Sequence, residues 1–277
     1  MGTFREATAL TAYGEGEFGA TLDPQWSVGT RLHGGYLLAV LARAACESPA
    51  GAGHPHVTAV SGTFVEPPEP GEALARVETL RVGRSVAQVR AALVQEGRTR
   101  VEAHVTLGLL DDSDPWWSAH EPVSLPPEQD CFLAPVDPPG ADMRVPLMAV
   151  VEERIDPEHL AFAFGAPSGR GTIASWQRLA DGSDWDPLSL LVALDPVPPV
   201  SFDLGLSGWV PTIQLSAYIR RLPAPGPIRV RLSATDVGGD RMDEVAHIWD
   251  DKGRLVGQAT QLAAVRVPPS PPGRSAA

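Results

Sequence analysis

The chain has 277 residues, of which 43% are hydrophobic, and its formal net charge is −12. This acidic balance argues against nucleic acid or an anionic membrane surface as the main partner. No run reaches the roughly 18 to 20 apolar residues of a membrane span, and two cysteines without a secretory signal favour a reducing, cytoplasmic location.

The first half begins with a predicted helix that Gly34 and Gly35 open. Leu37, Leu38 and Leu41 follow at helical spacing, and the helix should end before Pro49. Four strands are predicted next, because apolar alternation is interrupted by Gly and Pro turns. They span Thr58 to Val65, Ala73 to Val82, Ser85 to Glu96 and Thr99 to Leu109.

Residues 111–146 are rich in proline and show little periodicity, which favours an extended connector over the surface. We expect Trp116 and Trp117 to pin this connector down. The tail after Pro268 is rich in Pro, Ser, Gly and Ala and is predicted to be disordered.

The second half repeats the order of a helix followed by strands. Asp184 or Asp186 can cap a helix with Pro187 in its first turn, and Leu191 and Val192 lie on one face of it. The predicted strands are Thr212 to Arg220, Ile228 to Val237, Met242 to Asp250 and Leu255 to Val265. They are too close in sequence for crossover helices, so the sheet should be mainly antiparallel.

An internal repeat relates the two halves. Residues 68–71 (Pro-Glu-Pro-Gly) recur 155 positions later as residues 223–226 (Pro-Ala-Pro-Gly), and Arg76 meets Arg231 at the same offset. We therefore predict an α+β double hotdog, in which two tandem units each wrap an antiparallel sheet around a long helix and join through their sheets. The predicted boundaries are a first unit at 1–112, a linker at 113–145, a second unit at 146–268 and a tail at 269–277.

Three valines of the first copy are replaced by polar residues in the second. Val40 becomes Asp195, Val57 becomes Thr212, and Val105, after one inserted residue, becomes Gln261. Asp195 lies on the apolar stripe of its helix, close to a C-terminus where a carboxylate is electrostatically disfavoured. The three residues are either a catalytic group, with Thr212 and Gln261 as partners of Asp195, or a satisfied structural network.

Several stretches resemble the type II acyl-CoA thioesterase family of bacteria and peroxisomes. They are residues 32–36 (Leu-His-Gly-Gly-Tyr), 64–67 (Phe-Val-Glu-Pro) and 77–85 (Val-Glu-Thr-Leu-Arg-Val-Gly-Arg-Ser) in the first half. In the second half, residues 193–195, 211–213 and 256–261 match the places of the family's catalytic Asp, Thr and Gln. The sequence departs from the family at His33, where an aromatic residue is usual, and at Gln214 and Leu215, where Asp-His is common.

The resemblance implies hydrolysis of an acyl-CoA or a related acyl thioester, with no cofactor. Asp195, Thr212 and Gln261 would carry the water attack, with Asp195 accepting the proton. His33, Gly34 and Gly35 would bind substrate, a backbone N–H near the glycines polarising the carbonyl. One site is expected per chain. The oligomeric state stays open, and because exposed sheet edges or faces often pair, a homodimer or a tetramer is compatible with the sequence.

Two alternatives stay open. A hotdog dehydratase or hydratase would pair His33 with an acid, and a non-catalytic acyl-group binder would keep the scaffold without turnover. The sequence has no nucleophile elbow and no Walker loop, and no Gly-x-Gly-x-x-Gly motif follows a predicted strand as a dinucleotide site requires. The histidines show no metal-ligand spacing, so no metal site is predicted.

Overall fold

The computed structural model describes residues 3–14, 16–139 and 143–268. Thirteen strands form one antiparallel sheet in the order β1-β2-β6-β7-β8-β5-β12-β15-β14-β13-β11-β10-β9, and β3 and β4 form a separate hairpin. The strands are β1 Leu10–Gly14, β2 Glu17–Leu22, β3 Ser27–Val28, β4 Arg31–Leu32, β5 His56–Phe64, β6 Gly71–Val82, β7 Ala87–Gln95, β8 Arg98–Gly108, β9 Phe132–Leu133, β10 Val151–Ile155, β11 Thr172–Leu179, β12 Thr212–Ile219, β13 Ile228–Gly238, β14 Arg241–Trp249 and β15 Leu255–Ala264.

The first unit, residues 3–108, wraps its strands around one long helix. A short helix α1 (Phe4–Ala7) precedes α2 (Gly34–Glu47), which begins and ends where the sequence predicts. Leu37, Leu38 and Leu41 of α2 are almost completely buried, since the concave side of the sheet closes over them. The strands β5 to β8 lie within about two residues of their predicted bounds, because Gly and Pro turns punctuate the pattern.

The second unit, residues 132–264, has the predicted strands β12 to β15 but not the predicted long helix. Its helix α3 is a single turn, Leu190–Ala193. Asp186 caps the preceding turn by accepting hydrogen bonds from the N–H groups of Leu188 and Ser189. Proline at 196, 198 and 199 then prevents continuation, because proline has no N–H to donate and clashes with the preceding turn. The double hotdog architecture is confirmed, with one long and one truncated helix.

The two units meet through a pair of antiparallel strands, β5 and β12. Ser61 pairs with Ser216 in this ladder, and their hydroxyl oxygens are 2.8 Å apart. These residues are separated by 155 positions, which is the offset of the repeat, so each is the counterpart of the other. A pseudo-two-fold axis therefore passes through this pair. It relates β5 to β12, the equivalent strands whose junction forms the seam between the two units.

The connector follows the outer face of the second unit, but the two tryptophans do not hold it there. Trp116 is fully exposed and Trp117 is 73% exposed, so that expectation is wrong. The contacts come instead from the sheet beneath. The indole N–H of Trp176 donates to the carbonyl of Pro126 at 2.9 Å, and Arg178 forms two hydrogen bonds with Glu128.

The predicted disorder of residues 269–277 falls outside the described residues. Within the described ranges, no helix has both the length and the apolar character needed to cross a membrane. Cys46 and Cys131 are both free thiols.

Candidate active site

Asp195 lies at the end of α3, where the truncated helix leaves its backbone carbonyl without an intrahelical partner. In a longer helix this carbonyl would receive the N–H of residue 199, but Pro199 has none. The ring Nε2 of His33, from the first unit, lies 2.6 Å from the Asp195 carbonyl oxygen instead. The proline-rich ending of α3 therefore turns a helix terminus into a contact between the two units.

The carboxylate of Asp195 also contacts the first unit. Its Oδ2 accepts a hydrogen bond from the N–H of Gly35 at 2.9 Å and lies 3.4 Å from His33 Nε2. The Asp195 side chain is 12% exposed, so it keeps a narrow opening to solvent. Expected partners Thr212 and Gln261 are not the groups that hold it. Donors from the start of α2 do so, because the N-terminus of a helix presents unpaired N–H groups and favours negative charge.

The two glycines at the start of α2 have different steric roles. A Cβ at Gly35 would lie 2.2 Å from the carbonyl oxygen of Leu191, so the helices α2 and α3 can approach only because a side chain is missing there. A Cβ at Gly34 would lie 2.8 Å from Asp195 Oδ2 and 3.0 Å from the ring of Phe64. Gly34 thus keeps the space in front of the carboxylate open.

His33 uses both ring nitrogens in contacts within the protein. It is the N-cap residue of α2, and its Nδ1 accepts a hydrogen bond from the N–H of Tyr36 at 3.3 Å. The neutral tautomer with its proton on Nε2 satisfies this bond together with donation to the Asp195 carbonyl. The side chain is 3% exposed, so His33 fastens the two units together rather than offering a free nitrogen.

Gln261 and Thr212 belong to the neighbouring strands β15 and β12. Gln261 lies opposite Leu215, and Thr212 lies opposite Ala263, two residues further along the same strand. The amide nitrogen of Gln261 donates to Glu244 Oε2 at 3.2 Å, an interaction that the sequence does not predict. The structure thus places Asp195 beside the start of α2, whereas the side chain of Gln261 is hydrogen-bonded to Glu244 of β14.

Glu244 is a buried acid, 3% exposed, that was not among the predicted site residues. Its Oε1 accepts a hydrogen bond from the N–H of Val200 at 3.2 Å. Burial is the largest cause that raises the pKa of Glu244 to about 7, and the negative charge of Asp195 acts in the same direction. Glu244 thus contacts both Gln261 and the segment that follows Asp195, and the charge of Asp195 acts on it.

The repeat itself contains the signal for Glu244. Val89, its counterpart at the offset of 155, pairs with Val105 in the first unit, just as Glu244 pairs with Gln261 in the second. Both valines are 1% exposed. Glu244 is therefore the fourth polar residue of the second unit that replaces a buried valine of the first. It lies directly opposite Gln261, the third such residue.

The described part of the chain contains no cluster of three or more His, Cys, Asp or Glu side chains that could hold a metal ion. The chemistry available here is that of a carboxylate, an amide, a hydroxyl and a second, buried carboxyl group. Such groups can orient a water molecule and accept its proton.

Comparisons with known proteins give one family for both halves. The acyl-CoA thioesterase N-terminal domain matches residues 22–108, and the acyl-CoA thioesterase C-terminal domain matches residues 125–265. An uncharacterized protein of Mycobacterium tuberculosis is 32% identical over 276 residues, which cover 90% of each chain.

Solved structures agree with the fold. A candidate thioesterase II from Thermobifida fusca superposes with a TM-score of 0.84 at 32% identity, covering 96% of this chain and 98% of that one. An acyl-CoA thioesterase II of Mycobacterium marinum has a TM-score of 0.68 at 18% identity, with 96% and 99% coverage, and supports the fold alone. By the matches to both of its halves, this chain belongs to the acyl-CoA thioesterase family.

Proposed function

We propose that the protein hydrolyses an acyl-CoA, or a related acyl thioester, to the free acid and the thiol. The observation that carries this proposal is the position of Asp195, a slightly exposed carboxylate held at the seam by Gly35 and His33. A carboxylate at this position lowers the stability of the fold unless neighbouring groups compensate its charge, and it is otherwise kept only where the charge takes part in a reaction. The first unit has a buried valine at the equivalent position, so the fold does not require an acid there.

The proposed reaction begins with a water molecule between Asp195 and Gln261. Asp195 accepts a proton from this water as its oxygen attacks the thioester carbonyl, and the Gln261 carbonyl oxygen accepts a hydrogen bond from it. Thr212 supports the amide from the adjacent strand. As the C–S bond breaks, the proton held by Asp195 passes to the departing sulfur.

The developing oxyanion requires a hydrogen-bond donor. The N–H of Gly35 is bonded to Asp195, and the N–H of Tyr36 is bonded to His33. We assign this role to the N–H of Gly34, the first-turn donor that these two contacts leave available. Because Gly34 has no side chain, a substrate carbonyl can approach it.

A dehydratase or hydratase is the second candidate, because the structure does pair His33 with an acid. The Nε2 to Oδ2 distance is 3.4 Å. However, a general base must reach the substrate proton with a free nitrogen, whereas Nδ1 is engaged by Tyr36 and Nε2 by the Asp195 carbonyl. The occupied ring of His33 therefore favours hydrolysis over dehydration.

The test replaces Asp195 with Asn and measures thiol release from short, medium, long and aromatic acyl-CoAs. Asn is nearly isosteric and can still accept from Gly35, but it cannot take a proton. We expect kcat to fall by about 100-fold or more. Asp114→Asn, an exposed acid of the connector, is the matched control and should retain full activity.

The other outcomes would lead to different conclusions. Wild-type turnover by the Asp195→Asn variant would contradict the assignment of the base. Formation of a double bond without thiol release would support the dehydratase, and saturable binding of acyl-CoA without turnover by the wild-type protein would support a binding protein.

A further inference from the structure

Glu244 is placed to act through Gln261 rather than on the substrate. Both of its carboxyl oxygens have protein partners: Oε1 accepts from the N–H of Val200, and Oε2 accepts from the Gln261 side-chain amide. The Val200 contact fixes the carboxyl group from the segment that follows Asp195. The remaining oxygen is thus held against one end of the Gln261 amide.

We propose that Glu244 is a positioning residue whose protonation state decides which end of the Gln261 amide faces the reaction centre. This inference rests on the proposed hydrolysis and adds a regulator to the same site. The ionised carboxylate can only accept hydrogen bonds, so it holds the NH₂ group and directs the amide oxygen away. A protonated Glu244 donates from Oε2, and the best acceptor in reach is the amide oxygen, so the amide turns round.

The two orientations have opposite effects on an attacking water. An amide oxygen accepts a hydrogen from the water and leaves its lone pair free for the carbonyl carbon. An NH₂ group instead donates to that lone pair and opposes the attack. The ionised form of Glu244 is therefore the productive one, and hydrolysis should increase with pH as Glu244 loses its proton.

The pH range in which Glu244 loses its proton lies close to neutrality. Burial is the main cause that raises the pKa of Glu244 to about 7, the charge of Asp195 adds to it, and the Val200 N–H opposes it. Among the described residues, Asp195 is the charged group that acts on Glu244. Proton binding to Glu244 thus depends on the charge of the residue that takes the proton from water.

The decisive variant is Glu244→Gln, which cannot ionise. Two measurements are made between pH 6 and 8: the pH profile of thioester hydrolysis, and the NMR signals of the Gln261 side-chain NH₂ group, identified by their loss in Gln261→Val. In the wild type we expect the NH₂ signals to shift with a midpoint near the pKa of Glu244. In Glu244→Gln the NH₂ signals should stay constant with pH. The kcat of this variant should be about tenfold lower than that of the wild type, with KM changed less than twofold, and the increase of activity near pH 7 should vanish.

Glu153→Gln is the matched control. It neutralises another buried glutamate of the second unit, whose pKa burial also raises to about 7, but whose partners are Ser175 and Gln177. This variant should keep both the Gln261 shift and the activity limb. If Glu244→Gln fails to fold, Glu244→Val restores the residue type of Val89 in the first unit and takes its place.

Unchanged titration of the Gln261 signals in Glu244→Gln would overturn the proposal. So would lower activity with an unaltered pH profile, since that pattern reports a structural role alone. Failure of the wild type to hydrolyse any acyl thioester would contradict the proposed function, while the NMR titration would still decide whether Glu244 positions Gln261.

Discussion

The first unit has a pair of valines at a point of the sheet where the second unit has a pair of polar residues. In the first unit, Val89 and Val105 face each other between β7 and β8, whereas Glu244 and Gln261 do so between β14 and β15. The surrounding strands keep the same pairing. The fold therefore tolerates either pair, and the chemistry of the second unit is a local exchange on a shared scaffold.

A second exchange lies at the outer strands of the same unit. The pairing of β10 with β11 and of β1 with β2 makes Glu153 and Gln177 the counterparts of Leu10 and Ala20. Glu153 is 2% exposed, and its Oε1 is bonded to Ser175 and Gln177, while its Oε2 and Gln177 Oε1 have no partner among the described residues. Two buried polar clusters thus distinguish the units, and one of them is remote from Asp195.

The close approach of α2 and α3 is the feature whose loss should have the largest effect on stability. Replacing Gly35 with Ala puts a Cβ against the Leu191 carbonyl and forces the helices apart. We expect the free energy of unfolding to fall by about 3 kcal/mol, and hydrolysis to fall with it, because Asp195 moves away from its donors. Gly238→Ala, where the added Cβ meets no atom within 4 Å, is the control for denaturant unfolding. Equal stability of the two variants would refute the steric role of Gly35.

The buried Glu153 should make stability depend on pH in a direction opposite to that of a salt-bridged acid. Its pKa rises from 4.5 to about 7 on folding, so the folded state binds the proton more tightly. The contribution of Glu153 to stability is therefore greatest below pH 4.5, decreases as pH rises from 4.5 to 7, and then levels off. Glu153→Gln should match the wild type near pH 4.5 and exceed its unfolding free energy by about 2 to 3 kcal/mol at pH 8.

Chemical denaturation at several pH values measures this difference. Glu121→Gln removes the same charge from an exposed site and should leave the curve unchanged. If the Glu153→Gln and wild-type curves run parallel from pH 4.5 to 8, Glu153 ionises equally in both states and the expectation is wrong.

The smallest effect is expected at the seam. Ser61 and Ser216 share one hydrogen bond between partly buried hydroxyl groups, which contributes about 1 kcal/mol. A double-mutant cycle with Ser61→Ala and Ser216→Ala should therefore give a coupling energy of that size. A coupling near zero would show that the β5–β12 ladder is held by its backbone and apolar contacts alone.

Local patterns in the sequence predict most of the framework. The α2 helix and eight central strands follow from periodicity and from Gly and Pro turns, and the repeat predicts that the sheets join. Local patterns do not predict the strands β1, β2, β10 and β11, or the two-residue strands β3, β4 and β9. They predict too long a helix at α3, because the apolar stripe between Pro187 and Pro196 resembles that of a longer helix.

The site was harder to predict because its contacts depend on register and on distance along the chain. Asp243 and Glu244 are adjacent acids near a hairpin, and only the alignment of the two copies, which sets Glu244 against Val89, distinguishes the buried acid from the exposed one. Gly35 and Asp195 are 160 residues apart, so their hydrogen bond depends on how the units dock. Aligning the two copies of the repeat identifies the positions that differ, but the structure is needed to show which of these residues are in contact.

The pseudo-two-fold axis at Ser61 and Ser216 gives every position near the seam a related second location. In an assembly of two identical chains, any substitution would change both locations, so an acid that supports chemistry at one would also weaken packing at the other. Here the location related to Asp195 is occupied by the buried Val40. Joining the copies in one chain lets one side of the seam keep a full apolar core while the other carries charge, so the cost of the polar residues is incurred once per sheet.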